Sequence, residues 1–263
     1  DLGLGQVIRK KNAAGNRGNK RKVVLFTDTW ASYYEPAVAT SAISLLEAAG
    51  YDVIIPESTG CCGRPMLSKG LIGEARKYAG ALVSRLSGYA QQGIPIVGTE
   101  PSCILSFRDE YPYLLPEDED AAALASNSYL IQEFLYDELK ENGLKISWLR
   151  GVQDVLYHGH CHERSLTGDE AAIGLLSASG CTVRTSGAGC CGMAGSFGYE
   201  KEHYRVSQAI GEDRLFPAVR KQSEDTVITV SGFSCAHQIE HFTGRMTKHI
   251  VQVLANRIDP GLK

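Results

Sequence analysis

A chain of 263 residues, 43% hydrophobic and 22% charged, carries enough apolar residues for one or two globular cores at roughly 150 residues per domain. A formal net charge of -3 gives no case for nucleic-acid binding, and no stretch reaches the ~20 apolar residues needed to cross a bilayer. No charged segment followed by an apolar one marks a signal peptide, so the expected location is the cytoplasm.

Residues 1–22 hold seven Lys or Arg and one Asp, are rich in Gly and Asn, and lack periodicity. They read as a basic flexible linker. The chain begins with Asp1 and reads as a piece of something longer. The run Val23 to Phe26 is β-prone, and Pro36 to Ala49 follows with Val38, Ala42, Leu45, Leu46 and Ala49 at helical spacing. Gly50 ends that helix, and Val53-Ile54-Ile55 leads into a Cys61-Cys62-Gly63 turn. A helix over Gly73 to Leu86 and a strand over Ile94 to Val97 complete this half. Asn127 to Asn142, with Leu130, Phe134, Leu135 and Leu139 at helical spacing, reads as an amphipathic helix at a domain junction.

The order then repeats. Val155 to Tyr157 is a strand, Asp169 to Ala178 a helix ended by Gly180, and Thr182-Val183 a strand before Cys190-Cys191-Gly192. A helix over Glu202 to Ile210 and a strand over Val227 to Val230 close the second half. Ser102-Cys103 and Ser234-Cys235 recur after the last strand of each half, some 40 residues beyond each Cys-Cys-Gly. Two independent landmarks sharing nearly one offset mark an internal duplication. The expected architecture is α/β, with two pseudo-repeated Rossmann-like modules. Their sheets are parallel, and the Cys-Cys-Gly turns sit at the strand C-terminal edges, where open α/β sheets bind ligands. The expected boundaries are 1–22 for the linker, 23–125 for the first module, 126–150 for the junction and 151–263 for the second module.

The eight cysteines do not fit the disulfide framework of a small secreted domain. Neighbouring cysteines on a glycine-flanked turn can instead face one metal. In the second half Cys161, Cys190, Cys191 and Cys235 each fall near a strand end, a set suited to an iron–sulfur cluster or to a zinc or iron ion. The first half offers Cys61, Cys62 and Cys103. Cys181, unmatched in the first half, reads as a core residue.

His158, His160 and His162 cluster around Cys161. They read as a ligand (His158) and as proton-handling or substrate-contacting groups at a catalytic site (His160, His162). His237, with His241 at i, i+4 after Cys235, is a further metal candidate. Gly187-Ala188-Gly189-Cys190-Cys191-Gly192 matches G-x-G-x-x-G but follows the second strand of its repeat, which argues against a dinucleotide site.

These residues resemble the CCG cysteine-rich family, which includes the cysteine-rich component of heterodisulfide reductase and the iron–sulfur subunits of glycolate, lactate and glycerol-3-phosphate oxidoreductases. A closer likeness is to the C-terminal part of fused D-lactate or D-2-hydroxyglutarate dehydrogenases that join an FAD-linked oxidase domain, a ferredoxin-like segment and CCG domains. It rests on Tyr34-Glu35-Pro36, Cys61-Cys62-Gly63-Arg64-Pro65, Gly98-Thr99-Glu100-Pro101-Ser102-Cys103, His158-Gly159-His160-Cys161-His162 and the run Cys190 to Glu200. The resemblance implies a 4Fe–4S cluster and an electron-transfer role. It also implies FAD in an upstream domain absent from this chain, a small 2-hydroxyacid as the indirect substrate, and an electron acceptor at the inner face of a membrane. Three positions depart from the family pattern: Thr29 stands at the first module's leading cysteine, and Glu100 and Gly232 stand at the first Cys of each C-x-x-C. A structural zinc or docking module and a dithiol redox module stay open as alternatives.

Overall fold

The computed structural model describes residues 20–57 and 60–261. The basic linker read over 1–22 therefore lies outside the described residues, except for its last three. The chain divides after Ile146 into two compact units.

The first unit holds a four-stranded, all-parallel sheet of order β2-β1-β3-β4, made of β1 (Lys22–Phe26), β2 (Asp52–Ile54), β3 (Ile96–Gly98) and β4 (Ser128–Leu130). Val23, Val24, Leu25 and Phe26 are all buried, as expected of a central parallel strand covered on both faces. The crossover helices are α1 (Pro36–Ala48), which starts on a proline, and α2 (Ile72–Ala90). In α2, Ala75, Ala79, Leu82, Val83 and Leu86 form the inward stripe. After β3 the chain adds α3 (Glu119–Ser126), capped by the Asp118 carboxylate, then β4 and α4 (Ile131–Glu141).

The second unit repeats this plan, with order β6-β5-β7-β8 from β5 (Gln153–His158), β6 (Cys181–Thr185), β7 (Val227–Val230) and β8 (Thr247–His249). Its pairs are also parallel. Its helices are α5 (Cys161–Leu166), α6 (Glu170–Ala178), α7 (Tyr204–Asp213), α8 (Leu215–Arg220), α9 (Phe233–Thr243) and α10 (Ile250–Asn256).

Each unit thus has one strand more than the repeat predicts. β4 and β8 are three residues long, too short for a period of two to show in a sequence. Pairing of Ser128–Leu130 with β3 also shortens the helix read over Asn127 to Asn142 to Ile131–Glu141.

The glycine after each cysteine pair has a steric reason. Gly63 and Gly192 have φ of 82° and 95°, the left-handed region that glycine enters without cost. A Cβ on Gly63 would lie 3.0 Å from Tyr78 Cβ of α2, and one on Gly192 would lie 2.2 Å from the Ser207 carbonyl oxygen of α7. The turn therefore presses its backbone onto the helix that follows it.

Gly168 also has a positive φ, 73°, but a Cβ there meets nothing within 4 Å. Gly168→Ala should cost only the backbone strain, roughly 1–3 kcal/mol. Gly192→Ala should cost clearly more in chemical denaturation of the second unit. Equal costs would mean that the turn is not packed against α7.

Candidate metal centre

The strand registers align the two halves. Phe26 pairs with Gly98 at the end of β1 and β3, and His158 pairs with Val230 at the end of β5 and β7. Cys103 follows Gly98 by five residues, as Cys235 follows Val230. Thr29 follows Phe26 by three residues, as Cys161 follows His158, so the first half has a hydroxyl where the second has a thiol. By the same register Asp28 matches His160, Thr99 matches Ser231, and Glu100 matches Gly232.

In the second half the four sulfurs influence one another in sequence: Cys161 acts on Cys190, Cys190 on Cys191, Cys191 on Cys235, and His158 on Cys235. Cys191 and Cys235 are buried in an apolar cluster with Leu156, Ala188, Met193, Leu215, Phe216 and Val230. Cys190 is half-buried and Cys161 exposed, so the sulfurs run from the core to the surface. Hydrogen bonds from Cys161 and Cys191 hold the Cys190 thiol far below its ordinary range. The bond from Cys191 outweighs burial at Cys235 and, with His158 and His160, lowers that thiol too. The neighbouring Cys190 sulfur, then burial, pushes Cys161 up, and the Cys190 and Cys235 sulfurs on either side do the same to Cys191.

Within the set, Cys190 and Cys235 are drawn toward the thiolate form and Cys161 and Cys191 toward the protonated one. Neighbouring sulfurs cannot all ionise without a compensating charge. A soft cation would supply that charge by taking the place of the two protons. The donor set of four thiols beside an imidazole thus fits a thiophilic metal or an iron–sulfur cluster.

His158 is buried, with Nδ1 2.8 Å from Ser186 Oγ, which leaves its other ring nitrogen for the Cys235 sulfur. His160 is buried as well, and its Nδ1 accepts the His162 amide at 3.1 Å, making it the N-cap of α5. Its ring fills the space at position 232, where a Cβ would lie 2.7 Å from His160 Cδ2. Glycine there makes room for the histidine, and the same contact leaves no room for the fifth cysteine of the family pattern.

His237 contacts Tyr199, whose hydroxyl lies 2.9 Å from Nδ1, and Phe233. Burial lowers its pKa, against an opposing pull from Glu240. His241 lies 2.8 Å from the Tyr204 hydroxyl. Cys181 is buried at the start of β6, the opposite end of a parallel strand from the cluster, with its sulfur 3.4 Å from Ser179 Oγ.

In the first half the Cys62 thiol donates to the Cys103 sulfur at 3.1 Å, and Cys61 is the free thiol next to it on the same turn. The Tyr111 hydroxyl donates to the Cys62 carbonyl at 2.8 Å and fixes the turn. In both halves the glycine amide faces the first sulfur of its pair: Gly63 to Cys61 at 3.5 Å and Gly192 to Cys190 at 3.3 Å. The electrostatics differ between the halves. Accepting the bond from Cys62 pulls Cys103 down, but burial and the charges of Asp28 and Glu100 leave it pushed up to about 11. The bond to Cys62, then burial, raises Cys61, and the bond to Cys103 does the most to raise Cys62.

Asp28 was not singled out by sequence reasoning. Its carboxylate is buried and accepts from the Trp30 and Ala31 amides at 2.8 and 3.1 Å and from Thr99 Oγ1 at 3.4 Å. Burial raises its pKa against those bonds. The strand-end His249 was also passed over. It is buried, and its Nε2 lies 3.1 Å from the Ser231 carbonyl. Their register, Asp28 two residues past the end of β1 and His249 at the end of β8, is the signal that marks them.

Two parallel α/β modules with cysteines at matching strand ends define a duplicated cysteine-rich protein. The cysteine-rich (CCG) domain model matches residues 25–108 and 155–240, and the chain belongs to that family. It is 30% identical over 248 residues to a subunit of the anaerobic glycerol-3-phosphate dehydrogenase of Escherichia coli K12, covering 94% of this chain and 61% of that protein. It is 28% identical over 258 residues to D-2-hydroxyglutarate dehydrogenase of Pantoea ananatis, covering 97% of this chain and 24% of that protein. With lactate utilization protein A of Bacillus pumilus the identity is 29% over 252 residues, 90% of this chain and the whole of that protein. The chain thus spans about three-fifths of the first of these relatives and a quarter of the second.

Cys61 and Cys190 are both half-buried, yet their thiols are shifted in opposite directions. In metal-free protein at pH 7, iodoacetamide should modify Cys190 at least roughly tenfold faster than Cys61, since the thiolate is the nucleophile. Cys61 should catch up only well above pH 9, whereas Cys190 should stay reactive at pH 6. Peptide mapping after brief pulses reads both rates, and equal rates would contradict the charge distribution described.

Proposed function

We propose that this chain is an electron-carrying module of a flavin-dependent 2-hydroxyacid oxidoreductase of the D-lactate or D-2-hydroxyglutarate type. The observation that carries the reading is the set of four mutually influencing cysteine sulfurs and His158 at one sheet edge. Its relatives are components of dehydrogenases and a lactate utilization protein, which supports an oxidoreductase role. Cys161, Cys190, Cys191 and Cys235 would hold an iron–sulfur cluster, and Cys61, Cys62 and Cys103 a second site. Such a cluster supplies a one-electron carrier between a flavin and a later acceptor.

The protein's own residues set the environment of that carrier. Met193, Leu215 and Phe216 keep water from the Cys191 and Cys235 side. His158, anchored by Ser186, lowers the Cys235 thiol, an influence of the kind that tunes a metal's potential. Cys161 and Cys190 lie at the exposed rim, where electrons would enter or leave.

The flavin would be FAD in a separate domain or subunit accompanied by a ferredoxin-like segment, and the hydroxyacid would be oxidised there. A membrane-associated acceptor at the cytoplasmic face fits as the destination. No helix among the described residues is long and apolar enough to cross a membrane.

The test is iron, zinc and acid-labile sulfide per chain on anaerobically purified protein. Iron with matching sulfide is expected, and Cys190→Ser should remove the associated visible absorbance. Zinc without sulfide would replace the electron-transfer reading with a structural one. A metal-free protein whose thiol count rises by two on reduction would point to dithiol chemistry.

A further inference from the structure

The residues that follow Cys161 bind the three cysteine-bearing loops of the second half to one another. α5 begins at Cys161, so Glu163 and Arg164 leave its first turn close to the sulfurs.

Glu163 is almost completely buried, at 1% exposure. A carboxylate removed from water must be hydrogen-bonded. The Tyr157 hydroxyl lies 3.1 and 3.0 Å from its two oxygens, and the Ser231 hydroxyl donates to Oε2. Ser231 also accepts the His160 amide at 2.9 Å. It is the first residue after β7, on the segment that leads to Cys235. Glu163 therefore joins the Cys161 loop to the Cys235 loop.

Arg164 reaches the third loop. Its guanidinium donates to the Ala188 carbonyl and, at 3.5 Å, to that of Gly189, the two residues before Cys190. Its Nε pairs with Asp169 at 3.3 Å. Asp169 lies against Gly159, where a Cβ would stand 2.1 Å from Asp169 Oδ1, so the loop before Cys161 is packed against the same anchor.

Among the described residues the first half has no such braces. The matching positions, five and six residues past the end of β1, are Ala31 and Ser32, and the Ser32 hydroxyl donates to Thr27 within its own turn. The braces occur in the half that carries four sulfurs and not in the half that carries three.

We infer that Glu163 and Arg164 are positioning residues that brace the Cys161, Cys190–Cys191 and Cys235 loops into one metal-binding set. The inference rests on the metal-binding reading of that site.

The test uses the full chain, reduced and metal-free, titrated anaerobically with Co2+ and followed by the thiolate-to-cobalt charge-transfer band. Wild type is compared with Arg164→Ala, Arg164→Lys, Glu163→Gln and Cys190→Ser. Arg164→Ala and Glu163→Gln should each weaken Co2+ binding by about 10- to 100-fold, the usual cost of losing an outer-shell partner. They should also shift the band toward that of Cys190→Ser, while far-ultraviolet circular dichroism stays at the wild-type value. Arg164→Lys should recover part of the affinity, because it restores one donor but not the fork. If Glu163→Gln does not fold, Arg164→Ala, on a partly exposed side chain, carries the test alone.

Folded Arg164 variants with wild-type affinity and spectrum would overturn the brace. A thiolate band unchanged by Cys190→Ser would sink the metal reading of the second half, and the brace with it. A wild-type band that responds as expected, in a protein purified without iron or sulfide, would remove the iron–sulfur assignment and leave the brace standing.

Discussion

Sulfur atoms within hydrogen-bonding distance must share protons or share a cation, and the second half of this protein is organised around that constraint. Cys190 is drawn toward the thiolate form by Cys161 and then Cys191, and Cys235 by Cys191, while Cys161 and Cys191 are shifted the opposite way by the same neighbours. Burial would otherwise raise every one of these thiols. The parallel sheet makes the crowding possible. All strands of a module end at one edge, so residues far apart in the chain meet there without strain in any strand.

The two halves show how the same scaffold can carry different electrostatics. Among the exchanges at matched strand-end positions, three stand out: Cys161 against Thr29, His160 against Asp28, and Gly232 against Glu100. The second and third are physically linked. The His160 ring needs the space that glycine leaves at 232, whereas the smaller Asp28 accompanies a side chain at 100. The result is an imidazole-lined sulfur chain in one half and a carboxylate-lined one in the other, with Cys103 held proton-bearing by its neighbours.

Much of the architecture was legible in the sequence because it is periodic. The apolar run before each Cys-Cys-Gly, the helical stripe of Val38, Ala42, Leu45 and Leu46, and the recurrence of Ser-Cys all follow from local patterning, and the parallel α/β modules follow from their order. The short strands β4 and β8 stayed hidden, since three residues cannot display a period. Asp28, Glu163 and His249 stayed hidden for a different reason. Each looks like an ordinary surface residue in sequence, and only its position at or just past a strand end puts it in the interior.

The sequence by itself determined which residues can meet. A duplicated βα pattern places Cys61, Cys62, Cys103, Cys161, Cys190, Cys191 and Cys235 after strand ends, because strand and helix periods are written in the spacing of apolar residues. Only the tertiary structure decided how they meet. That Cys191 sits between Cys190 and Cys235, that His158 acts on Cys235, and that His160 serves as a helix cap depend on side-chain directions and on contacts across strands. Such contacts bring together residues some 70 positions apart, like His160 and Ser231, and no local spacing records them.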